Sequence, residues 1–427
     1  MRFRFYSLLP LLFLAACTAS APVLQQTGGG TVTGSGGVNA VDHRGSPYVI
    51  LISFDGFRHD YQDRVETPNL DRFAASGVRA EALVPVFPSK TFPNHYTIAT
   101  GMYPENHGIV GNSFYDPERD ARYSIGDRES VMDGTWYRGE PIWVTAETQG
   151  MVAASFFWVG SEADVMGVQP TIWTPYDGRI PNEARVDSVL AWLELPEENR
   201  PHMITLYFSN VDSAGHRHGP DSDQVDAAIT DTDRVLGRLL DGLETHPVGD
   251  QVYVVIVSDH GMAQYTTETA VAIDDLIDMT GILMADSGPA ANLHVEGGAE
   301  RARAITDQLN ARLANGRAYL RQDVPEHLNY RADPRIGDVV VVMEERWQIR
   351  TSDRMPRSDG GTHGWDPTVP SMQGIFLAMG PSVRSGITIP AFEAIEIYPL
   401  LAEILGLTPG PDVDGRPGWL RSQITTN

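Results

Sequence analysis

Val252-Tyr-Val-Val-Ile-Val257 runs directly into Ser258-Asp259-His260-Gly261, so an apolar segment is followed at once by two ionisable side chains. A strand that is apolar on both of its faces is typical of a parallel sheet covered by helices on both sides. In such sheets, binding and catalytic groups collect in the loops that follow the carboxyl ends of the strands. This stretch therefore predicts an α/β fold with its functional site at one edge of the sheet.

Buried strands and helices alternate along the rest of the chain. We predict strands at 48–54, 153–159, 202–209, 253–258, 338–343 and 374–379, and helices at 67–76, 141–149, 184–195 and 222–244. This order favours an α/β sandwich in which helices flank a mostly parallel central sheet. The segment around 265–350 interrupts the alternation with a further helix at 299–314, so we interpret it as a small inserted cap subdomain.

The composition limits the classes of function. With 32 Lys+Arg against 56 Asp+Glu the formal net charge is −24, so no nucleic-acid polymer is expected as a partner. The chain has one cysteine, Cys17, which excludes an internal disulfide and a thiolate metal site. Any metal must therefore be bound by histidines and carboxylates. No feature of the sequence indicates an obligate protein partner.

The N-terminus has the pattern of a bacterial export signal. Arg2 and Arg4 precede an apolar run that is too short for a membrane-spanning helix, which needs about 20 residues. Leu14-Ala-Ala-Cys17 resembles the lipobox of bacterial lipoproteins, so residues 1–16 are the expected signal and Cys17 the expected lipid anchor in the cell envelope. Because Thr18 follows the cysteine, we expect an outer-membrane lipoprotein facing the periplasm. The alternative is a plain secretory signal in which Cys17 is incidental.

Residues 17–45 are rich in Gly and Ser and show no apolar period, which predicts a flexible tether. We expect the folded body to begin near Pro47 and assign the catalytic domain to 46–420.

Four loops next to predicted strands carry metal-binding side chains. These side chains are Asp55, Asp212, His216, Asp259, His260 and His363. A single strand-end aspartate is often only a turn or cap residue, but histidine makes up just 12 of the 427 residues and occurs in three of these four loops. Three carboxylates and three imidazoles suffice for two divalent ions. Zn²⁺ suits these donors best, and Mn²⁺ or Mg²⁺ stay open. A pair of ions is typical of phosphoryl transfer.

A nucleophile for that chemistry could come from Ser89 or Thr91, which precede a predicted helix at 94–100. A hydroxyl at this position is commonly an N-cap. The same position also points backbone N–H groups at an anion, which would suit a phosphorylated hydroxyl.

Two further stretches carry a family resemblance. Lys90-Thr-Phe-Pro-Asn-His-Tyr96 and Thr100-Gly-Met-Tyr-Pro-Glu-Asn-His-Gly-Ile109 closely resemble the nucleophile region of the nucleotide pyrophosphatase/phosphodiesterase family, within the alkaline phosphatase superfamily. The metal-binding loops are similar to the family's metal motifs and come in the same order. One departure is Ser209-Asn-Val211, where many members carry two acids and a proline.

The resemblance implies a role for each site residue. Thr91 would be the nucleophile that is transiently phosphorylated, and Asn112 would donate to a phosphate oxygen together with the Thr91 amide. The resemblance implies two Zn²⁺, the first held by Asp55, Asp259, His260 and Thr91, and the second by Asp212, His216 and His363. Phe92 and Tyr176 match positions at which nucleotide-hydrolysing members stack the base.

Nearby residues receive other interpretations. His95 and His107 are expected to be structural, and His218 to be a supporting residue. For Lys90, a phosphate contact and a side chain that points away both stay open.

The sequence thus predicts an exported type I phosphodiesterase that releases nucleoside 5′-monophosphates from small nucleotide substrates. A phosphomonoesterase or a phospholipid head-group phosphodiesterase on the same site is an alternative. A lipid-anchored binding protein with a degenerate metal site is the alternative outside enzymes.

Overall fold

The computed structural model describes residues 35–426. The predicted export signal, Cys17 and the tether up to residue 34 lie outside the described residues. The strands are β1 (Tyr48–Phe54), β2 (Val78–Ala80), β3 (Leu83–Val84), β4 (Ser113–Asp116), β5 (Ala121–Ser124), β6 (Ala153–Phe156), β7 (Ile172–Trp173), β8 (Met203–Phe208), β9 (Val252–Val257), β10 (Ala263–Tyr265), β11 (Ala270–Ala272), β12 (Ile282–Asp286), β13 (Ala290–Val295), β14 (Gly316–Leu320), β15 (Val339–Met343), β16 (Gln348–Arg350), β17 (Gly360–Thr362), β18 (Phe376–Met379), β19 (Ile387–Ile389) and β20 (Phe392–Glu393). The α-helices are α1 (Pro68–Ser76), α2 (Thr91–Thr100), α3 (Pro104–His107), α4 (Arg128–Met132), α5 (Ile142–Thr148), α6 (Asn182–Leu193), α7 (Asn210–His218), α8 (Asp223–Thr245), α9 (Gly298–Arg312), α10 (Ile397–Leu405) and α11 (Trp419–Ile424).

The central sheet has eight strands in the order β19-β2-β18-β9-β1-β8-β6-β7. β1 pairs in parallel with both β8 and β9, and β18 runs antiparallel to both of its neighbours. Every residue of β1 and of β9 is buried, as expected for strands that are covered on both faces. The predicted α/β sandwich with a mostly parallel sheet is therefore confirmed.

Helices cover the two faces of this sheet and form two separate cores. Leu51 of β1 belongs to the core that also contains Trp143 of α5 and Leu401 of α10. Its neighbour Ile52 belongs to the opposite core, with Leu236 of α8. Successive residues of β1 thus face opposite layers, because side chains alternate along a strand.

The inserted segment forms a second, antiparallel sheet. Its strand order is β12-β13-β15-β14, and α9 packs on it around Leu293, Leu309 and Val341. The predicted strand at 338–343 is β15 of this sheet, inside the segment that we interpret as an insertion. Its apolar pattern correctly predicted that the strand is buried. Such a pattern does not show with which strands it pairs. β11 and β16 lie near the two ends of the segment and pair with each other, so the two ends of the insertion are neighbours.

The packed body begins earlier than Pro47. Asn39 is 1% exposed, and its side-chain Nδ2 donates to Glu197 O and Arg200 O, both at 2.8 Å, while its Oδ1 accepts from Val152 N–H at 2.7 Å. Ser35 Oγ donates to the Glu147 carboxylate at 2.5 Å. Residues 35–45 are therefore held against the domain by polar side chains and do not belong to the tether. Among residues 35–426, none of the helices has the length and apolar character needed to cross a membrane.

Candidate active site

The carboxyl ends of three adjacent central strands supply most of the site. β1 is followed directly by Asp55, β9 is followed by Asp259 and His260 after one residue, and β8 leads into α7. Because β8 and β9 flank β1 in parallel, these ends meet at one edge, where Asp212 N–H donates to Asp55 O at 3.1 Å. The predicted convergence of the strand-end residues is therefore present in the fold.

The six candidate ligands form two groups. One comprises Asp55, Asp259 and His260, and the other Asp212, His216 and His363; within each group the ligand atoms lie within 4.8 Å of one another. Asp212 and His216 are four residues apart on α7, so they share one face of the helix. The rings of His260 and His363 stack with their centroids 3.5 Å apart, which places the two groups side by side.

The three histidines are oriented by backbone carbonyls. Nδ1 of His216, His260 and His363 lies 2.8–2.9 Å from the carbonyl oxygens of Gly361, Gly261 and Ser89, respectively. These contacts place a proton on each Nδ1 and turn each Nε2 towards the site. Burial, together with His260 and His216, lowers the pKa of His363 well below its usual value, which keeps that ring neutral. His216 Nε2 and His363 Nε2 are 3.2 Å apart, so these two nitrogens face the same space.

The carboxylates of the two groups have buried oxygens without hydrogen-bond partners in the part of the chain that the structure describes. Among the described residues, Asp55 Oδ1, Asp212 Oδ1 and Asp259 Oδ2 are buried without a hydrogen-bond donor. Burial raises the pKa of Asp55 well above its usual value, and the charges of Asp259 and Asp212 raise it further. Buried oxygens without donors are rare in folded proteins. Converging carboxylate oxygens and imidazole nitrogens are the donor set that divalent cations take in proteins, so the residues present suit the predicted metals.

Thr91 is the first residue of α2, so the helix starts three residues earlier than predicted. Its side chain does not cap the helix, and its Oγ1 lies 3.2 Å from His260 Nε2. The Thr91 N–H belongs to the first turn, whose N–H groups have no acceptor within the helix. Asn112 Oδ1 accepts from Phe92 N–H at 3.0 Å, which leaves the Asn112 Nδ2 group to donate to a ligand. The hydroxyl, the backbone N–H groups and the amide thus meet at the helix N-terminus.

These groups line a cleft of about 330 Å³. Residues of both candidate metal groups form part of its wall, and aromatic side chains form another part: Phe92, Phe157, Trp158, Tyr176 and Tyr207. Tyr176 is 46% exposed and contacts Phe157 edge to face at 5.0 Å. The structure therefore brings Phe92 and Tyr176 into the same cleft as Thr91.

Sequence reasoning missed several residues of this site. Tyr207 donates its hydroxyl to Asp55 Oδ2 at 2.5 Å, and its place in the apolar run of β8 concealed this polar role. Arg128 and Glu162 form an ion pair that lines the cleft. His95, interpreted as structural, supports the site from behind, since its Nδ1 lies 2.9 Å from Thr91 O and 3.2 Å from Asp259 Oδ2.

Other candidates lie away from the cleft. Lys90 pairs with Asp286 at 2.7 Å, so its ammonium is directed at the inserted segment and not into the cleft. His107 is buried against Thr97, as the structural interpretation expects. His218 is exposed and does not line the cleft.

Comparison with known proteins gives consistent matches. The sequence profile of the Type I phosphodiesterase / nucleotide pyrophosphatase family matches residues 49–366. Venom phosphodiesterase CdcPDE of Crotalus durissus collilineatus is 37% identical over 381 residues, which cover 87% of this chain and 46% of that protein. Ectonucleotide pyrophosphatase/phosphodiesterase family member 1 of Mus musculus is 36% identical over 377 residues, covering 86% of this chain and 42% of that protein. This chain therefore spans less than half the length of these relatives.

Solved structures also match. Murine ectonucleotide pyrophosphatase/phosphodiesterase 5 superimposes with a TM-score of 0.83 at 30% identity, covering 88% of this chain and 100% of that chain. An inactive threonine-to-alanine variant of the same murine protein in complex with AMP matches with a TM-score of 0.83, covering 89% of this chain.

Proposed function

Because the chain belongs to the type I phosphodiesterase/nucleotide pyrophosphatase family, within the alkaline phosphatase superfamily, we propose that it hydrolyses phosphodiester and phosphoanhydride bonds of nucleotides. The products would be a nucleoside 5′-monophosphate and the remaining part of the substrate. One observation carries this proposal: Thr91, at a helix N-terminus, shares a cleft with both candidate metal groups and an aromatic wall.

Thr91 is proposed as the nucleophile. Its Oγ1 forms a bond to the phosphorus next to the nucleoside, while the bond from that phosphorus to the leaving oxygen breaks. Water then breaks the bond between Thr91 and the phosphate, which returns the threonine hydroxyl and releases the monophosphate. Asn112 Nδ2 and the Thr91 N–H would donate to a non-bridging oxygen of the phosphate, where negative charge builds up in the transition state.

Two Zn²⁺ are proposed as cofactors. Asp55, Asp259, His260 and Thr91 would hold one ion, and Asp212, His216 and His363 the other. The bound ions would supply positive charge that lowers the pKa of the Thr91 hydroxyl and of the attacking water. Tyr207 would keep the Asp55 carboxylate in position by donating to its Oδ2.

The aromatic wall is proposed to bind the nucleobase. Phe92 and Tyr176 both line the cleft that contains Thr91. Stacking on aromatic rings is worth about 1–3 kcal/mol per base and depends little on which base is bound. The inactive murine relative in complex with AMP shows a nucleoside monophosphate bound to a protein of this fold. We therefore expect nucleotides in general, including ATP and dinucleotides, as the substrate class.

A substrate panel in ¹⁸O-water tests the activity. The zinc-loaded protein is incubated with ATP, thymidine p-nitrophenyl phosphate, bis-p-nitrophenyl phosphate and AMP. We expect AMP from ATP with the ¹⁸O label on the AMP phosphate, rapid cleavage of the thymidine ester, and little turnover of AMP. Faster hydrolysis of AMP than of the diesters would contradict the proposal and favour a phosphomonoesterase.

We also propose that the protein is exported and anchored in the outer membrane through a lipid on Cys17, as Leu14-Ala-Ala-Cys17 suggests. Cys17→Ala should release an active protein from the membrane fraction of the cells that express it. Unchanged membrane retention of this variant, measured by fractionation, would count against the anchor.

A further inference from the structure

A buried ion pair joins the inserted segment to the residue before Thr91. Lys90 Nζ donates to Asp286 Oδ2 at 2.7 Å and to Ser287 O at 3.3 Å. The two side chains are 8% and 15% exposed, so the pair lies largely out of water. The single lysine of the chain is therefore committed to a contact within the protein.

The pair packs against the backbone beside three residues of the proposed site. Lys90 directly precedes Thr91 and is the N-cap residue of α2. Asp286 Oδ2 lies 2.8 Å from the place where a Cβ on Gly111 would sit, which puts the carboxylate against the backbone next to Asn112. Lys90 Cε lies 3.1 Å from the corresponding place on Gly364, next to His363. Because glycine occupies both positions, the two side chains can reach the backbone directly.

The inserted sheet places the Asp286 side chain next to Lys90. Asp286 is the last residue of β12, and the pairing register of β12 with β13 shifts between Met284 and Asp286. Irregularities of this kind redirect side chains and are common beside active sites. Asp286 Oδ1 accepts from Ser287 N–H at 2.8 Å, which fixes the carboxylate while Oδ2 faces Lys90.

We infer that the inserted segment acts as a positioning element for the proposed site, and that Lys90 and Asp286 are its positioning residues. The pair holds the two segments that supply the phosphate donors, 89–92 and 110–113, at a fixed separation. Neither side chain lines the cleft, so both act through Thr91 and Asn112. This inference rests on the proposed function, and it gives the insertion a role in catalysis.

Removing the pair should affect the chemical step more than substrate binding. Lys90→Met and Asp286→Asn keep the shapes of the side chains and remove the charge. We expect kcat to fall about tenfold or more with KM changed less than about threefold, because small displacements of catalytic groups cost up to about 10²-fold. The double variant should lose no more kcat than the worse single variant, since both remove one interaction.

Asp116→Asn is the matched control. Asp116 pairs with Arg335 at 2.8 Å, and these side chains are 6% and 7% exposed. This pair also joins the inserted segment to the main domain, but it does not line the cleft. We expect a lower thermal midpoint with kcat within about twofold of the wild type.

Two further variants cover the case in which the neutral ones do not fold. Asp286→Glu and Lys90→Arg keep both charges and change only the reach of the side chains. We expect them to be folded and to show a smaller loss of kcat than the neutral variants.

Hydrogen–deuterium exchange provides a readout that does not depend on activity. Peptides covering 88–96 and 110–114 should exchange faster in Asp286→Asn than in the wild type, while Asp116→Asn should leave the 88–96 peptide unchanged. The control is compared on that peptide because Arg335, the partner of Asp116, donates to Gly108 O. Unchanged exchange in Asp286→Asn, or a loss of kcat no greater than that in Asp116→Asn, would overturn the inference. If the wild-type protein turns over none of the panel substrates, the proposed function fails, and the exchange data alone decide whether the pair positions these segments.

Discussion

Thr91 owes its proposed role to its place at the first position of α2. The side chain does not cap its own helix, and its Oγ1 faces His260 at 3.2 Å. A threonine that served only as a cap would instead accept from a backbone N–H of the first turn. The hydroxyl is thus available to a substrate phosphate.

Thr91→Ala should abolish turnover and leave the fold intact. We expect kcat on thymidine p-nitrophenyl phosphate to fall by more than about 10³-fold, because the variant lacks the nucleophile. Thermal unfolding should change by only a few degrees, and AMP should still bind. Thr91→Ser, which keeps a hydroxyl, is the control and should retain measurable turnover. Turnover in the alanine variant close to that of the wild type would exclude Thr91 as the nucleophile.

Tyr176 allows a test of base binding at the mouth of the cleft. Because it is 46% exposed, its removal should cost little stability. We expect Tyr176→Ala to raise KM for thymidine p-nitrophenyl phosphate by about 5- to 150-fold, which corresponds to about 1–3 kcal/mol of lost stacking. KM for bis-p-nitrophenyl phosphate, which carries no nucleobase, should change far less. Tyr176→Phe keeps the ring and should match the wild type; equal effects on both substrates would argue against stacking.

At the level of elements, α2 and α3 are joined through His107. Its Nε2 donates to Thr97 Oγ1, which in turn donates to Met102 O at 2.8 Å, and its Nδ1 accepts from Ile109 N–H at 3.1 Å. Both ring nitrogens are therefore used by the neutral form. Protonation at Nδ1 would break the bond from Ile109 and place a charge in the core.

His107 should consequently make stability depend on pH. Burial lowers its pKa from 6.5 to about 3, so the unfolded chain binds the proton more tightly than the folded one. Stability from this residue is complete above pH 6.5 and is lost as the pH falls towards 3, about 2 kcal/mol of it by pH 5. His107→Gln should therefore flatten the dependence of the unfolding free energy on pH between 7 and 5, as measured by urea titration at each pH. A variant with the same pH dependence as the wild type would contradict this assignment.

Most helices and strands could be predicted from the sequence, because their patterns of buried residues are local. The apolar stripe of α8 and the apolar runs of β1 and β9 depend only on neighbouring residues. Contacts between distant segments left no such pattern. The pairing partners of β15 could not be predicted. Residues 35–45 were assigned to the tether, because the bonds of Asn39 to residues over 100 positions away have no local signature.

For the whole molecule, the clustering of the candidate ligands could be predicted because parallel strands deliver their carboxyl ends to one edge. The contacts behind the ligands could not. Tyr207, His95 and the Lys90–Asp286 pair bind across the sheet or between the domain and its insertion. Their partners become neighbours only in the folded chain, so sequence spacing gives no hint of them.

The two candidate metal groups should make the stability of the whole domain depend on cations. Three buried carboxylate oxygens of these groups, Asp55 Oδ1, Asp212 Oδ1 and Asp259 Oδ2, have no hydrogen-bond donor among the described residues, and the three carboxylates lie close together. Bound cations would relieve both costs, and anything that binds only the folded state stabilises it. Removal of the metals should therefore lower stability as well as activity.

Chelation followed by readdition of metal tests this dependence. After dialysis against a chelator we expect turnover to fall to background and the thermal midpoint to drop by several degrees, with Zn²⁺ restoring both. Elemental analysis should find about two zinc ions per chain in the wild type and in Thr91→Ala, because the remaining ligands of each group still converge. Asp212→Asn should retain about one, since it weakens one group and leaves Asp55, Asp259 and His260 intact. Full turnover in a rigorously metal-free preparation, or an unchanged zinc content in Asp212→Asn, would contradict the two-metal site.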